Sequence, residues 1–191
     1  MPDYESVGCV FESRRARGLL MHNQKQDEHW MQIALQEAQR AYEEDEVPVG
    51  AVIVKDNRII GQGYNKSERL YDPTAHAEII ALSAAANYLN SWRLTDTTIY
   101  VTLEPCLMCT GALVLARIKR LVFGAHDKKF GACGSVYNIP EDNKFNHTFK
   151  ITSGILEQES QNLLQSFFKN KRVQKTPAKI KPITSKDVYS A

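Results

Sequence analysis

Thr98-Ile99-Tyr100-Val101-Thr102-Leu103, followed by Glu104-Pro105-Cys106-Leu107-Met108-Cys109 and then Gly111-Ala112-Leu113-Val114-Leu115-Ala116, reads as a strand running directly into a helix. The first run is apolar, β-branched and aromatic, the composition of a buried strand. Pro105 falls in the first turn of the helix, where its missing N–H costs nothing. Cys106 and Cys109, three apart, then project from one helix face. Unpaired N–H groups and the macrodipole at a helix N-terminus favour anions, and so favour the thiolate, the form that binds metal. The strand delivers this helix end to the carboxyl edge of a sheet, where α/β proteins place their sites.

Upstream, Pro73-Thr74-Ala75-His76-Ala77-Glu78-Ile79-Ile80-Ala81-Leu82 reads as a second helix start, with Asp72 and Thr74 as candidate caps and His76 in the first turn. One His and two Cys leave the fourth position of a zinc ion to water, and open sites of that kind are catalytic whereas closed four-ligand sites are structural. Zinc lowers the pKa of its bound water from about 16 to about 7. Glu78 is the candidate proton carrier. Two residues from His76, it lies on a different helix face, offset from the metal toward whatever sits over it. Hydroxide attack on an amidine-type carbon, with Glu78 passing the proton to a leaving amine, is hydrolytic deamination.

The other cysteine readings explain less. Two disulfides among Cys9, Cys106, Cys109 and Cys133 would require export, and no export signal is present. A redox Cys-x-x-Cys leaves His76 and Glu78 without a role. Cys133, in Gly131-Ala132-Cys133-Gly134, is either a fourth zinc ligand or a small residue in a tight loop.

The 191 residues are 43% hydrophobic and 24% charged, which excludes wholesale disorder and is enough for one domain with a core. No apolar run approaches the ~18 residues of a membrane span. Gly18-Leu19-Leu20-Met21 after Arg14, Arg15 and Arg17 is too short for a signal peptide, so the expected location is the cytoplasm, with reduced thiols. Net charge is +2, unevenly spread: residues 169–191 carry seven cations against Asp187 alone, a net +6, leaving −4 on the rest. Such a tail is either a solvated terminus or an electrostatic footprint for nucleic acid.

Residues 1–24 are aperiodic and read as a disordered extension, or as the product of an early start, with Met21 an alternative initiator. Residues 25–175 form the expected domain, and 176–191 a flexible basic tail. Asp27 to Asp45 has the amphipathic spacing of a helix. Ala51–Val54 and Arg58–Gly61 are strands of a hairpin around Lys55-Asp56-Asn57. Arg120–Gly124 and Phe149–Thr152 are further strands, and Ile155 to about Lys171 is a last amphipathic helix. Strand, cysteine helix, strand implies a right-handed parallel crossover. Together these elements predict a three-layer α/β/α sandwich around a five-stranded mixed sheet.

His-x-Glu followed by Pro-Cys-x-x-Cys is the known signature of zinc nucleobase deaminases. Glu46-Val47-Pro48-Val49-Gly50-Ala51-Val52, Asp72 to Glu78, Val101 to Cys109, Phe123-Gly124-Ala125-His126-Asp127 and Phe167-Phe168 together resemble the bacterial tRNA-specific adenosine deaminases, over about residues 28–175. The resemblance implies a cytidine deaminase-like fold, one Zn2+ per subunit on His76, Cys106 and Cys109, and Glu78 as proton shuttle. It implies conversion of adenosine to inosine at the wobble position of a tRNA anticodon by a homodimer whose partner subunit completes each site. Asn65 matches the residue that contacts the target base, and Val49 the lining of the base pocket. Asp127, Phe145, Asn146, His147 and Phe168 match positions near the RNA. Read by themselves, Asn65 has an Asx turn as its alternative, and His147 a strand-edge surface position. A deaminase of a free base or nucleoside (guanine, cytosine or cytidine) would share all the zinc chemistry, and a non-enzymatic zinc module would share the ligands but leave Glu78 idle.

Overall fold

A computed structural model describes the backbone of residues 5–142 and 144–175, with side chains from residue 23 to 174. The elements are α1 (Glu5–Glu43), β1 (Gly50–Lys55), β2 (Arg58–Tyr64), α2 (Ser67–Leu70), α3 (Ala77–Leu89), β3 (Thr98–Leu103), α4 (Leu107–Ala116), β4 (Arg120–Ala125), a 3-10 turn at Ile139–Glu141, β5 (Lys150–Ser153) and α5 (Glu157–Lys175). The sheet order is β2-β1-β3-β4-β5. β1 runs antiparallel to both β2 and β3, while β3, β4 and β5 are parallel, so the sheet is mixed as predicted.

Alternation along the strands builds the three layers. Ala51, Ile53, Ile99, Val101, Leu121 and Phe123 point to one face, where they pack with Ala77, Ala81 and Ala85 of α3 and Leu113 and Val114 of α4. Val52, Val54, Tyr100 and Val122 point to the other, against Trp30, Met31 and Ala34 of α1. On that second face Arg120 donates two hydrogen bonds to Asp27, at 2.9 and 2.7 Å, and Tyr100 donates a third, tying α1 across β3 and β4.

α1 starts at Glu5, not near Asp27, so the extension expected to be disordered over 1–24 is helical from Glu5. No proline interrupts the chain between Pro2 and Pro48, and the periodic stretch after Asp27 gives the helix a packed half from which to extend. The tail at 176–191 lies outside the described residues. No helix among the described residues is long and apolar enough to cross a membrane.

Gly61 and Gly63 of β2 set how closely α3 approaches the sheet. A Cβ at Gly61 would stand 2.5 Å from Ala81 O and 2.7 Å from Ala85 N, both backbone atoms that cannot swing away. Gly61→Ala is therefore expected to destabilise the protein by about 3 kcal/mol, the upper end for overpacking, in urea unfolding. A loss below about 0.5 kcal/mol, the usual range for unconstrained surface changes, would show that α3 can shift off the sheet.

Candidate active site

Two helix starts meet at the end of β3. His76 is the N-cap of α3 and Cys106 the N-cap of α4; both have extended backbone and neither caps its helix with a side-chain hydrogen bond. Each helix thus begins at least two residues later than the sequence predicts. Asp72 and Thr74 do not cap α3: the Asp72 carboxylate accepts the N–H and the hydroxyl of Thr74, both at 2.7 Å, closing a turn of its own. The N-cap positions are given instead to His76 and Cys106, whose side chains lie at the positive ends of two helices. His76 Nδ1 stands 3.7 Å from Cys106 Sγ and 3.5 Å from Cys109 Sγ. Among the described residues these three form a group able to hold a metal ion, with all donor atoms within 4.8 Å of one another.

The ionisation of the two thiols fits a cation. Hydrogen bonding from Cys109, with more from His76, outweighs burial and brings Cys106 down to about 4. Cys109 moves up, because its proton is held by Cys106 and its surroundings are buried. Two thiols and one imidazole are a donor set that suits zinc, which binds the sulfurs as thiolates. Cys133 stays out of the group. It sits 3.3 Å from Thr110 Oγ1, and burial pushes its thiol up to about 12. Glu78 is 4% exposed, and burial raises its pKa above the carboxylate range, with backbone hydrogen bonding pulling the other way.

Three more predicted positions reach the same sheet edge. Gly50 of β1 pairs with Tyr64 of β2, so Val49 and Asn65, just beyond that pair, are neighbours, and the Asn65 N–H donates to Val49 O at 3.0 Å. Lys66 N–H donates to Ala75 O at 2.9 Å, joining this corner to the residue before His76. Asp127 follows β4, whose Ala125 pairs with Leu103 immediately before the cysteine loop.

Residues 24–125 match the cytidine and deoxycytidylate deaminase zinc-binding region. The chain is 52% identical over 150 residues to the tRNA-specific adenosine deaminase of Haemophilus influenzae, covering 78% of this chain and 87% of that one. This chain belongs to the tRNA-specific adenosine deaminase family. A solved structure from a study of A-to-I editing by tRNA:A34 deaminases at the wobble position superposes with a TM-score of 0.69 at 45% identity, covering 71% of this chain and 99% of that one. A guanine deaminase from Bacillus subtilis superposes with a TM-score of 0.50 at 39% identity, covering 52% of this chain and 64% of that one. The fold is thus cytidine deaminase-like, and zinc is the cofactor.

Two of the positions expected near the RNA do not join this sheet edge. Phe145 and His147 precede β5 at the opposite end of the sheet: His147 Nε2 is 2.8 Å from Ile118 O, ahead of the first residue of β4. Phe145 is 46% exposed there. Phe168, also 46% exposed, lies on α5 next to buried Phe167, whose ring meets Tyr42 edge-on. Lys171 is paired with Asp45 at 2.5 Å.

Two buried carboxylates had no role in the sequence reading. Glu46 is fully buried. It accepts the backbone N–H groups of Glu68 and Arg69 at 3.2 and 2.7 Å and Asn65 Nδ2 at 3.2 Å, so Asn65 is held by a carboxylate, while its Oδ1 accepts the Ser67 hydroxyl at 3.3 Å. Glu104, 2% exposed, gathers the loop after β4. The signal for Glu46 was masked by its place in the acidic run Glu43-Glu44-Asp45-Glu46, which reads as solvated.

Proposed function

We propose that this protein deaminates adenosine to inosine at the wobble position of a tRNA anticodon, with one zinc ion per subunit held by His76, Cys106 and Cys109. Bound there, zinc supplies the activation of a water molecule at neutral pH. Glu78 takes a proton from the water side and returns it to the departing amine; its burial, which raises its pKa, suits a group that must both accept and release a proton. Val49 and Asn65 form the wall for the base, and Glu46 fixes the Asn65 amide by accepting one of its N–H donors. Asp127, on the other side of the cysteine loop, contacts the flanking nucleotide.

An adenosine in an anticodon loop is unstacked and can enter such a pocket, whereas one in a duplex cannot. The convergence of Val49, Asn65, the His-Cys-Cys group and Asp127 on one sheet edge is the observation that supports this reading most. The experiment is incubation with bulk tRNA, digestion and assay for inosine; absence of inosine from all tRNA fractions contradicts it.

The enzyme acts as a homodimer in the cytoplasm. An apolar groove between α3 and α4, lined by Ile79, Leu82, Ala86, Trp92, Ala112 and Leu115, leaves Trp92 60% and Leu115 72% exposed, a surface that a second copy covers. In that dimer Phe145, Asn146 and His147 serve RNA bound at the partner's centre, and Phe168 and Lys169 on α5 serve RNA at their own. Leu115→Asp is expected to yield monomers in sedimentation, with activity lost. A variant that remains dimeric removes this groove from the interface.

A further inference from the structure

We propose that Glu104 is a positioning residue for the reaction: its carboxylate sets Asp127 and the loop 126–135 against the start of the cysteine helix. Glu104 leaves β3 two residues before Cys106, and its own N–H donates to Ala125 O at 2.8 Å. Oε1 accepts the N–H of Cys133 and of Ser135, both at 3.0 Å. Oε2 accepts the Asp127 N–H at 3.1 Å and the Ser135 hydroxyl. Four donors from one loop therefore converge on a side chain with no exposure of its own. A loop that wraps a buried carboxylate in this way has one conformation, since each N–H released would face a buried charge with nothing else to satisfy it.

The same loop is fastened to the metal-binding turn. Ala132 N–H donates to Pro105 O at 2.9 Å, and Gly131 forms a β-bridge with Cys106. The fit requires a glycine: a Cβ at Gly131 would stand 2.5 Å from both Glu104 Oε2 and Asp127 O. Asp127 itself uses Oδ1 to accept the N–H groups of Lys129 and Phe130, at 2.8 and 3.3 Å. That turn leaves Oδ2 for another partner. Glu104 thereby links the geometry of the His-Cys-Cys group to the position of Asp127, which rests on the reading of Asp127 as a substrate contact.

Glu104→Gln tests this selectively. Its amide oxygen keeps the Cys133 and Ser135 N–H bonds, while its NH2 group faces the Asp127 N–H, donor against donor. With a wobble-adenosine stem-loop, Glu104→Gln is expected to lower kcat/KM about 10- to 100-fold, the cost of a small misplacement, chiefly through KM and with one zinc per chain retained. Asp127→Ala should lower it comparably, and the double variant should fall no more than about twofold below Asp127→Ala, because the two act as a unit. Additive losses, or a Glu104→Gln that loses zinc and melting temperature with KM unchanged, overturn the positioning role and leave the Asp127 reading standing. Unchanged kinetics in Asp127→Ala sink that reading and this role together. Should Glu104→Gln not fold, exposed Ser135→Ala removes one donor from Oε2; a rise in KM of about threefold, absent in the Asp127→Ala background, is expected, and no rise overturns the role.

Discussion

Glu78→Gln is expected to lower turnover of a wobble-adenosine substrate by about 10²–10⁴-fold, the contribution of a positioned proton carrier, while zinc stays at one per chain. The substitution keeps the shape of the side chain and removes only its ability to take a proton. Glu78 is buried, and burial disfavours its charged form, so an uncharged amide in its place should not unfold the site. Single-turnover inosine formation with metal analysis on the same sample separates the two effects. Turnover within tenfold of the native protein would assign the proton to another group, and loss of zinc would make Glu78 part of the metal's support.

Cys109→Ala is expected to abolish zinc binding and with it activity. Cys109 is wholly buried in the first turn of α4 and its thiol stands 3.5 Å from His76 Nδ1, so its loss leaves one thiol and one imidazole, too few for a tight site. A ligand at about 1,000 times its dissociation constant stabilises the native state by about 4 kcal/mol. The variant should forgo that increment. A chelator should then lower the melting temperature of the native protein and leave that of Cys109→Ala unchanged. Cys133→Ala is the contrast: it should keep full zinc, because Cys133 is bonded to Thr110 and lies outside the His-Cys-Cys group. Full zinc in Cys109→Ala, or depleted zinc in Cys133→Ala, would redraw the ligand set.

What could be read from the sequence is what local chemistry determines. The strand before Pro105 and the helix after it are set by side-chain period and by proline, and the spacing of His76, Cys106 and Cys109 is set by which positions of a helix start face outward. The hairpin and the crossover then leave few ways to order the sheet, and the observed order is mixed, as expected. The boundaries moved by two or more residues because His76 and Cys106, not Asp72, Thr74 or a residue before Pro105, took the N-cap positions. The roles of Glu46 and Glu104 were not legible. A buried carboxylate is recognised by the backbone N–H groups that close on it, and those of Glu68, Arg69, Cys133 and Ser135 come together only after folding. The distance of His147 from the metal group was hidden likewise, since the register of β5 on β4 decides to which end of the sheet the preceding loop goes.

Substrate choice follows from the same edge. On the proposed reading, free adenosine, guanine and cytidine would reach no more than Val49 and Asn65, and would forgo the flanking contacts that align the base. Contacts to phosphates should make binding to the stem-loop fall with salt, through counterion release. The decisive measurement is ammonia release by the zinc-loaded protein across an anticodon stem-loop with adenosine at the wobble position, free adenosine, guanine and cytidine. Faster release from the stem-loop than from any free base or nucleoside is the expected result; faster release from guanine, cytidine or free adenosine would contradict the account.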